Sequence, residues 1–275
     1  MAKAVRMMQE NLKLCDAVLI VLDARAPVSS YNPKLKELAG NKPVLYLLNK
    51  SDLADGGADG ALSAMRARGM KAVKCAAASP AASRTLLPAM QEAVAERTAR
   101  LKEKGSARPL RFMVAGIPNT GKSTLINLLS GGKKAQTGDK AGVTRNKQWV
   151  KCGAFELLDT PGSMPPSCEN QVHARRLACL GSINDDILEF DEIALFLLEE
   201  LREKYPASLE ERYGIAGGEP LQMLEEICTR RGFLLRGGEF DYERGERALI
   251  DDFRKGKLGK ICLDFPDEWE CFASE

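Results

Sequence analysis

One eight-residue stretch has the residue types that bind phosphate groups. Residues 116–123 read Gly-Ile-Pro-Asn-Thr-Gly-Lys-Ser, which is the pattern G-x-x-x-x-G-K-S. Glycines let backbone N–H groups close around phosphate oxygens, and the helix expected next adds its positive N-terminal dipole. We expect Lys122 to reach the terminal phosphates and the Ser123 hydroxyl to bind Mg²⁺. The stretch predicts a nucleoside triphosphate site, against the alternative of a Gly-rich turn without a ligand.

A second motif, Asn49-Lys50-Ser51-Asp52, has the chemistry needed to recognise guanine. The Asp52 carboxylate can accept from ring N1–H and the exocyclic amine together, whereas adenine would leave that carboxylate unpaired. We expect Asn49 to tie the base side to the phosphate loop and the Lys50 stem to lie along the base plane. Alone the tetrapeptide is a weak signal, because Asn and Asp are common in turns. Beside residues 116–123 it predicts GTP.

Three further segments supply candidate contacts to the nucleotide. Ala76-Ala77-Ala78 follows a predicted strand and could contact the guanine oxygen, although small residues there serve packing equally well. Thr144, within the basic stretch 131–146, is placed to coordinate Mg²⁺ and sense the γ-phosphate. Asp159-Thr160-Pro161-Gly162 could hold Mg²⁺ through Asp159 and meet the γ-phosphate at the Gly162 N–H, although it could also be a plain β-turn.

The predicted nucleotide and metal contacts form two sets. The GTP-binding set is Asn49, Lys50, Ser51, Asp52, Ala76, Ala77, Ala78, Asn119, Thr120, Gly121, Lys122, Ser123, Thr124 and Gly162. The Mg²⁺ ligands are Ser123, Thr144 and Asp159.

Buried strands must position these motifs. Continuous apolar runs are typical of strands buried on both faces of a parallel sheet. Such strands are predicted at 17–22, 44–48, 70–77 and 110–115, and a hairpin at 149–150 and 155–158. Amphipathic spacing predicts helices at 3–14, 33–38, 57–69, 83–103 and 124–129. Each motif follows a strand, so the predicted fold class is α/β.

The composition limits which cell compartment and which partners are expected. The 275 residues are 44% hydrophobic and 28% charged, with a net charge of +2, so any nucleic-acid affinity needs a local basic patch. The eight cysteines form no C-x-x-C pair, which argues against zinc and suits a reducing cytosol. No apolar run approaches the roughly 20 residues of a membrane span, and the start does not resemble a signal peptide. We expect a cytoplasmic protein.

The C-terminal part differs in composition from the rest. Helical spacing at 187–201 and 219–231 predicts a helical domain over 178–275, after a nucleotide-binding domain over 1–165. Its basic residues are candidates for RNA binding, against the alternative of a solvated basic face. They are Arg230, Arg231, Arg236, Arg254, Lys255, Lys257 and Lys260.

The order of the motifs is unusual. N-K-x-D at 49–52 precedes the phosphate loop at 116–123, whereas ordinary GTPases have the reverse order. The chain resembles the circularly permuted GTPases, and most closely the family of ribosome biogenesis GTPase A. The resemblance runs nearly end to end and rests on residues 1–3, 23–27, 49–52, 116–123, 142–144, 159–162, 205–206, 211–213 and 252–259.

The resemblance implies a P-loop GTPase domain with circularly permuted motif order, followed by a small all-helical C-terminal domain. It implies a monomeric GTP-hydrolysing assembly factor for the large ribosomal subunit, which binds ribosomal RNA in a nucleotide-dependent way. It also implies a K⁺ ion at Asn119, against the alternative that Asn119 only caps or spaces the loop. The other class left open is a GTP-dependent binding module for RNA or protein with little intrinsic hydrolysis.

Two features bear on mechanism. The chain leaves the GTPase domain directly after the second switch, so 163–180 should let nucleotide state bias the helical domain. No catalytic base is assigned: Ser163 and Met164 occupy the place where relatives often have an apolar residue. The family histidine is expected just before the residues matching Met1-Ala2-Lys3, and His173, the only histidine, matches no family catalytic position.

Overall fold

The computed structural model describes residues 2–106, 108–131, 149–159, 170–183 and 189–273. The chain forms two compact units, Met1–Pro166 with Asp264–Glu275, and Ser167–Leu263. The sequence-based division into 1–165 and 178–275 differs from these units at its C-terminal end. The segment after Leu263 returns to the first unit, because Asp264 and a 3₁₀ helix, Pro266–Ala273, pack there.

The first unit is organised on one six-stranded sheet. Its strands are β1 (Ala17–Asp23), β2 (Val44–Asn49), β3 (Ala72–Cys75), β4 (Leu110–Ala115), β5 (Trp149–Cys152) and β6 (Phe155–Asp159). Their order is β3-β2-β1-β4-β6-β5, and all pairs are parallel except the β5–β6 hairpin. Its helices are α1 (Ala2–Leu12), α2 (Pro33–Ala39), α3 (Gly57–Ala67), α4 (Ala82–Ala93), α5 (Ala95–Glu103) and α6 (Lys122–Leu129).

Apolar layers cover both faces of the sheet, as the uninterrupted strand sequences predict. Alternate residues of β1 point to opposite sides, Val18 and Ile20 into one layer and Leu19 into the other. The first layer includes buried residues of α1, α2 and α3, and the second those of α4 and α6. This burial fixes the strands, and therefore the loops at their ends.

The single helix predicted at 83–103 is two helices in the structure. α4 and α5 meet at Val94, whose φ of −113° and ψ of 16° lie outside the helical range. The side chains that α4 sends into the core include Leu86 and Met90, and Val94 is buried as well, whereas α5 has no buried residue. Packing in the core therefore fixes the chain as far as Val94. The polar α5 that follows lacks such contacts and forms a separate helix.

In the residues of the second unit that the structure describes, the regular structure is helical apart from a bridge between Leu234 and Phe240. Its helices are α7 (Gln171–Cys179), α8 (Phe190–Lys204), α9 (Pro206–Tyr213), α10 (Pro220–Arg231) and α11 (Tyr242–Arg254). α8 and α10 correspond to the two helices predicted there. The apolar faces of α8, α10 and α11 meet in a core that includes Leu197, Ile227 and Phe253. Over the described ranges of both units, no helix is long and apolar enough to cross a membrane.

Candidate nucleotide-binding site

Strand register brings the motifs to one edge of the sheet. Asp23, at the end of β1, pairs with Asn49 at the end of β2, and Asn49 pairs with Cys75 at the end of β3. β4 runs in the same direction beside β1 and leads into residues 116–123. The loops that carry the phosphate and guanine motifs therefore leave the same end of the sheet, on either side of β1, although they are far apart in sequence.

The phosphate loop has a backbone that requires its glycines. Gly116 has a φ of 150° and Gly121 a φ of 89°. A Cβ atom at Gly116 would lie 2.4 Å from the Val21 carbonyl oxygen, and one at Gly121 would lie 2.3 Å from Nδ2 of Asn49. Asn119, between them, has a φ of 59°. The close approach of backbone and neighbours is the geometry of a cradle for phosphate oxygens.

Two side chains fold back over this loop. The Lys122 ammonium donates to the Ile117 carbonyl at 2.6 Å, and the Thr120 hydroxyl donates to the same carbonyl at 3.2 Å. Thr120 is fully buried, so it braces the loop from within. Lys122 is the first residue of α6, so its ammonium lies within the loop at the helix N-terminus, where a phosphate group would be held.

The Asn49 side chain joins three loops. Its Nδ2 donates to the Thr120 carbonyl at 2.8 Å, and its Oδ1 accepts from the Ala77 N–H at 2.9 Å. The residue is 2% exposed, so both bonds are shielded from water. The expected tie between the base side and the phosphate loop is thus present in the structure, and it also fixes the Ala76-Ala77-Ala78 loop.

Lys50 makes a contact that the sequence did not reveal. Its ammonium lies 2.7 Å from Oδ2 of Asp23 and donates to the Asn119 carbonyl at 2.6 Å. Asp23 is fully buried and also binds the Arg25 guanidinium, through Nε at 3.0 Å and Nη2 at 2.9 Å. Lys50 itself has a φ of 61°. The lysine therefore connects the end of β1 to the phosphate loop.

The Asp23 carboxylate is held ionised by its two cationic partners. Burial alone would raise its pKa, but the charges of Arg25 and Lys50 lower the pKa to about 2. Burial lowers the pKa of Lys50, and the Asp23 charge opposes that effect. In the sequence, Asp23 and Arg25 belong to the stretch 23–27 that carries part of the family resemblance. The available signal was a charged Asp-x-Arg directly after a continuous buried strand.

The turn that follows β1 fixes the backbone of Asp23. The Asp23 N–H donates to Oγ of Ser30 at 3.1 Å, and that hydroxyl donates to the Ala26 carbonyl at 2.6 Å. The Asp264 carboxylate binds the same turn, accepting from the Val28 N–H at 2.5 Å, the Ser29 N–H at 3.1 Å and Oγ of Ser29 at 2.6 Å. The C-terminal segment thus contributes to the framework of the site.

The remaining predicted contacts vary in exposure. Asp52, Ala78 and Thr124 are exposed, and Ser51 and Ser123 are half-buried. The Ser51 N–H donates to the Cys75 carbonyl at 3.3 Å, which holds the turn that presents Asp52. Of the predicted Mg²⁺ ligands, Ser123 is the second residue of α6, directly after Lys122. Thr144, Gly162 and the side chain of Asp159 lie outside the described residues.

The other candidates lie in the second unit. His173 is on α7, where its N–H faces the Asn170 side chain at 3.3 Å. Arg230 and Arg231 end α10, Arg236 follows it, and Arg254 ends α11. Lys255, Lys257 and Lys260 come directly after α11. No group of three or more potential metal-binding His, Cys, Asp or Glu side chains occurs in the part of the chain that the structure describes.

A separate groove of about 1130 Å³ lies against α5 and the β5–β6 hairpin. Its lining includes Thr98, Leu101, Pro109 and Phe155. None of the predicted nucleotide contacts lines it. Its size alone does not make it the nucleotide site, because the phosphate and guanine motifs converge elsewhere.

Comparison with known proteins identifies relatives along nearly the whole chain. Residues 111–215 match the family described as 50S ribosome-binding GTPase. A protein named Ribosome biogenesis GTPase A, from Bacillus licheniformis, is 39% identical over 98% of this chain and 96% of its own length. Mitochondrial ribosome-associated GTPase 1 from Mus musculus is 31% identical over 96% of this chain and 88% of its own.

Solved structures agree with these relatives. The structure titled GNP-bound YlqF from T. maritima is 26% identical, with a TM-score of 0.66 over 96% of this chain and 99% of that one. The GDP-bound form from the same source gives the same TM-score at 25% identity.

Proposed function

Because this chain belongs to the family of ribosome biogenesis GTPase A, the circularly permuted GTPases of ribosome biogenesis, we propose that it acts on the large ribosomal subunit. Its GTPase cycle would control assembly of that subunit in the cytoplasm, and ribosomal RNA would be its direct partner. The names of the relatives, which refer to ribosome biogenesis or to the ribosome, support the ribosome as the partner. The geometry of the phosphate and guanine motifs supports GTP as the nucleotide.

The Asn49 amide carries the nucleotide part of this proposal. Its two hydrogen bonds join the phosphate loop at Thr120 to the loop at Ala77, directly beside Asp52. A bound GTP would place its phosphates at 116–123 and its base against Asp52. The base and phosphate subsites are thus rigidly connected before a ligand binds, which lowers the ordering cost of binding.

The residues of this chain would divide the work of binding GTP. Asp52 would accept the two guanine donors, and the Lys50 stem would cover the base. Lys122 and the loop N–H groups would hold the phosphates, with Ser123 as a Mg²⁺ ligand together with Thr144 and Asp159. When bound, Mg²⁺ would offset negative charge on the phosphates. Gly162 would contact the γ-phosphate.

Base specificity is tested first. We expect the unaltered protein to bind GTP in preference to ATP, and Asp52→Asn to weaken GTP binding by at least about 1.5 kcal/mol while favouring xanthine nucleotides. Isothermal titration with GTP, ATP and xanthosine triphosphate measures both effects. Equal affinity of the unaltered protein for GTP and ATP contradicts the guanine assignment.

Turnover separates the two functional classes. A GTPase assembly factor should hydrolyse GTP faster in single-turnover assays when purified large subunits are present. A GTP-dependent binding module would bind large subunits or RNA without that acceleration. The second class stays open because none of the described side chains at the phosphate loop is assigned as a catalytic base.

A potassium ion is the third part of the proposal. Asn119 has a left-handed φ of 59° in the middle of the phosphate loop, and we propose that its side chain holds K⁺ against the phosphates. Exchange of K⁺ for Na⁺ at constant ionic strength should then slow hydrolysis. An unchanged rate would leave Asn119 as a residue that only shapes the loop.

A further inference from the structure

Asp252, in the second unit, is a buried carboxylate surrounded by cationic side chains. Its Oδ2 accepts from Nε of Arg212 at 2.8 Å and from Nη2 of Arg231 at 2.9 Å. Its Oδ1 accepts from the Lys257 ammonium at 2.9 Å, and the Tyr213 hydroxyl donates to Oδ2 at 3.2 Å. The cations come from α9, the end of α10 and the loop after α11. We call these five residues the Asp252 cluster.

The Asp252 cluster holds more positive charge than its carboxylate neutralises. Three cations surround one anion, which leaves a surplus of two positive charges. The side chains of Arg212, Arg231 and Lys257 remain 28%, 35% and 49% exposed, while Asp252 is buried. All three cations share the single carboxylate of Asp252, and the Arg212 and Arg231 guanidinium groups also lie over the Tyr213 ring, 5.9 and 5.5 Å from its centroid. Fixed, half-exposed surplus charge is suited to an anionic ligand.

The electrostatics of the cluster agree with its geometry. Burial alone would raise the pKa of Asp252, but hydrogen bonds from Lys257 and Arg212 bring its pKa below the usual range. Burial and the nearby Asp252 charge raise the pKa of Tyr213, so its hydroxyl remains a donor. The carboxylate is therefore ionised at neutral pH and can hold all three cations in place.

We propose that the Asp252 cluster binds phosphate groups of an RNA backbone, with Arg212, Arg231 and Lys257 as ligands. Asp252 is the residue that positions them. Each guanidinium presents a planar fork of N–H donors that matches a phosphate. Among polyanions, RNA is the one that ribosome-associated relatives would meet. This inference rests on the proposed function and names the RNA-binding site within it.

The contacts separate this cluster from other basic residues nearby. Arg254 donates to the carbonyls of Cys179 at 3.0 Å and Ala178 at 2.8 Å, at the C-terminal end of α7. It satisfies carbonyls that a helix end leaves without intrahelical partners, which is a structural role. The RNA-binding residues predicted from sequence do not include Arg212, although residues 211–213 are among the stretches that carry the family resemblance.

The test compares charge-matched variants of the full chain. The probes are a fluorescently labelled short RNA duplex and purified large ribosomal subunits, titrated over a range of salt. Replacing Arg212 and Lys257 together by Gln should weaken binding about tenfold and reduce the salt slope by roughly 1–2, since two phosphate contacts are lost. Arg247→Gln with Lys204→Gln is the control, because it removes the same charge from side chains paired with Glu243 and Glu200. The control should change binding less than twofold.

Asp252→Asn distinguishes a built site from general attraction. The substitution removes one negative charge, so general attraction predicts tighter RNA binding with a steeper salt dependence. A positioned cluster predicts weaker binding, by about fivefold, because the three cations are no longer held together. Tighter binding overturns the proposal. If circular dichroism shows that Asp252→Asn does not fold, the double variant with Gln at positions 212 and 257 tests the proposal instead, because it keeps the bond between Arg231 and Asp252.

The outcomes separate this proposal from the proposed function. If the unaltered protein binds neither probe, both fail. If the unaltered protein binds both probes, and the Arg212 and Lys257 variant binds them equally well, only the Asp252 cluster is overturned.

Discussion

The Lys50 ammonium lies 2.7 Å from the Asp23 carboxylate, and the same ammonium donates to the carbonyl of Asn119 in the phosphate loop. Asp23 ends β1 and Lys50 follows β2, so the ion pair connects two strand ends with the loop that would hold the phosphates. Asp23 has a second cationic partner in Arg25. Loss of the Asp23 carboxylate would therefore affect two cations, whereas loss of the Lys50 ammonium would leave Asp23 paired with Arg25.

We expect Asp23→Asn to destabilise the protein more than Lys50→Met. Asn at position 23 leaves Arg25 and Lys50 without their anion, at a cost of roughly 3–5 kcal/mol. In Lys50→Met, Asp23 keeps its bonds to Arg25, so the cost should be about 1–2 kcal/mol. Urea unfolding measures the difference, and equal losses would contradict the arrangement. Both variants should bind GDP more weakly, because Lys50→Met removes the contact to Asn119 and Asp23→Asn removes the carboxylate that holds the Lys50 ammonium beside that carbonyl.

Gly121→Ala should weaken nucleotide binding for a steric reason. The new Cβ would lie 2.3 Å from Nδ2 of Asn49, at a φ of 89°. Gly40→Ala is the matched control, since Gly40 has a φ of 56° with no atom within 4 Å of the added Cβ. Backbone strain should cost each variant about 1–2 kcal/mol of stability, and the close contact with Asn49 should add to that cost in Gly121→Ala. Only Gly121→Ala should weaken GTP and GDP binding, by at least about tenfold in titration calorimetry.

Much of the fold followed from the sequence because its signals are local. The strand 110–115 matches β4, and runs such as 17–22 lie within β1, because an uninterrupted apolar run has few alternatives in a parallel sheet. The break between α4 and α5 at Val94 is not predicted, because the residues of α5 favour a helix as strongly as those before Val94 although none of them packs in the core. The circularly permuted GTPase fold, with its C-terminal helical region, is confirmed by the relatives.

The framework of the site was less predictable, because it depends on contacts between distant residues. The sequence predicts that Asn49 and Lys50 lie near the guanine base. Their hydrogen bonds to Thr120 and Asn119 become visible only in the structure, where the strand register places the two loops within reach of each other. Asp264 carries no local signal: it is one acidic residue, and it meets its partners 235 and 236 residues earlier. The sequence cannot show such pairings, whereas the packed sheet does.

Asp264 should stabilise both the fold and the nucleotide site. Asp264→Ala removes the acceptor of three hydrogen bonds and leaves the N–H groups of Val28 and Ser29 without it, at a cost of roughly 3 kcal/mol. Because that turn carries Ser30, which binds the Asp23 N–H, GDP should also bind several-fold more weakly. Ser29→Ala loses one of the three bonds and should cost about 1 kcal/mol. Equal effects of the two substitutions in unfolding and GDP titration would contradict this role.

Asp16 provides a prediction about pH. It is 3% exposed and binds the Arg108 guanidinium through two contacts of 2.8 Å. Burial would raise its pKa, but hydrogen bonds from the Arg108 side chain and the Arg111 N–H bring the pKa below its ordinary value of 3.8. A carboxylate with a lowered pKa stabilises the fold above its unfolded pKa, and that contribution is lost as the pH falls through the folded pKa.

Arg108→Gln should therefore lower the free energy of unfolding in a pH-dependent way. At neutral pH we expect a loss of about 1 kcal/mol, a modest value because Arg108 is 44% exposed to solvent. The loss should stay constant down to about pH 5 and shrink below about pH 4, where Asp16 becomes protonated in the unfolded chain first. Arg100→Gln, at an exposed position of α5, serves as the control for general charge. Urea unfolding between pH 3 and pH 7 measures the gap, and a gap that widens toward low pH would contradict the assignment to Asp16.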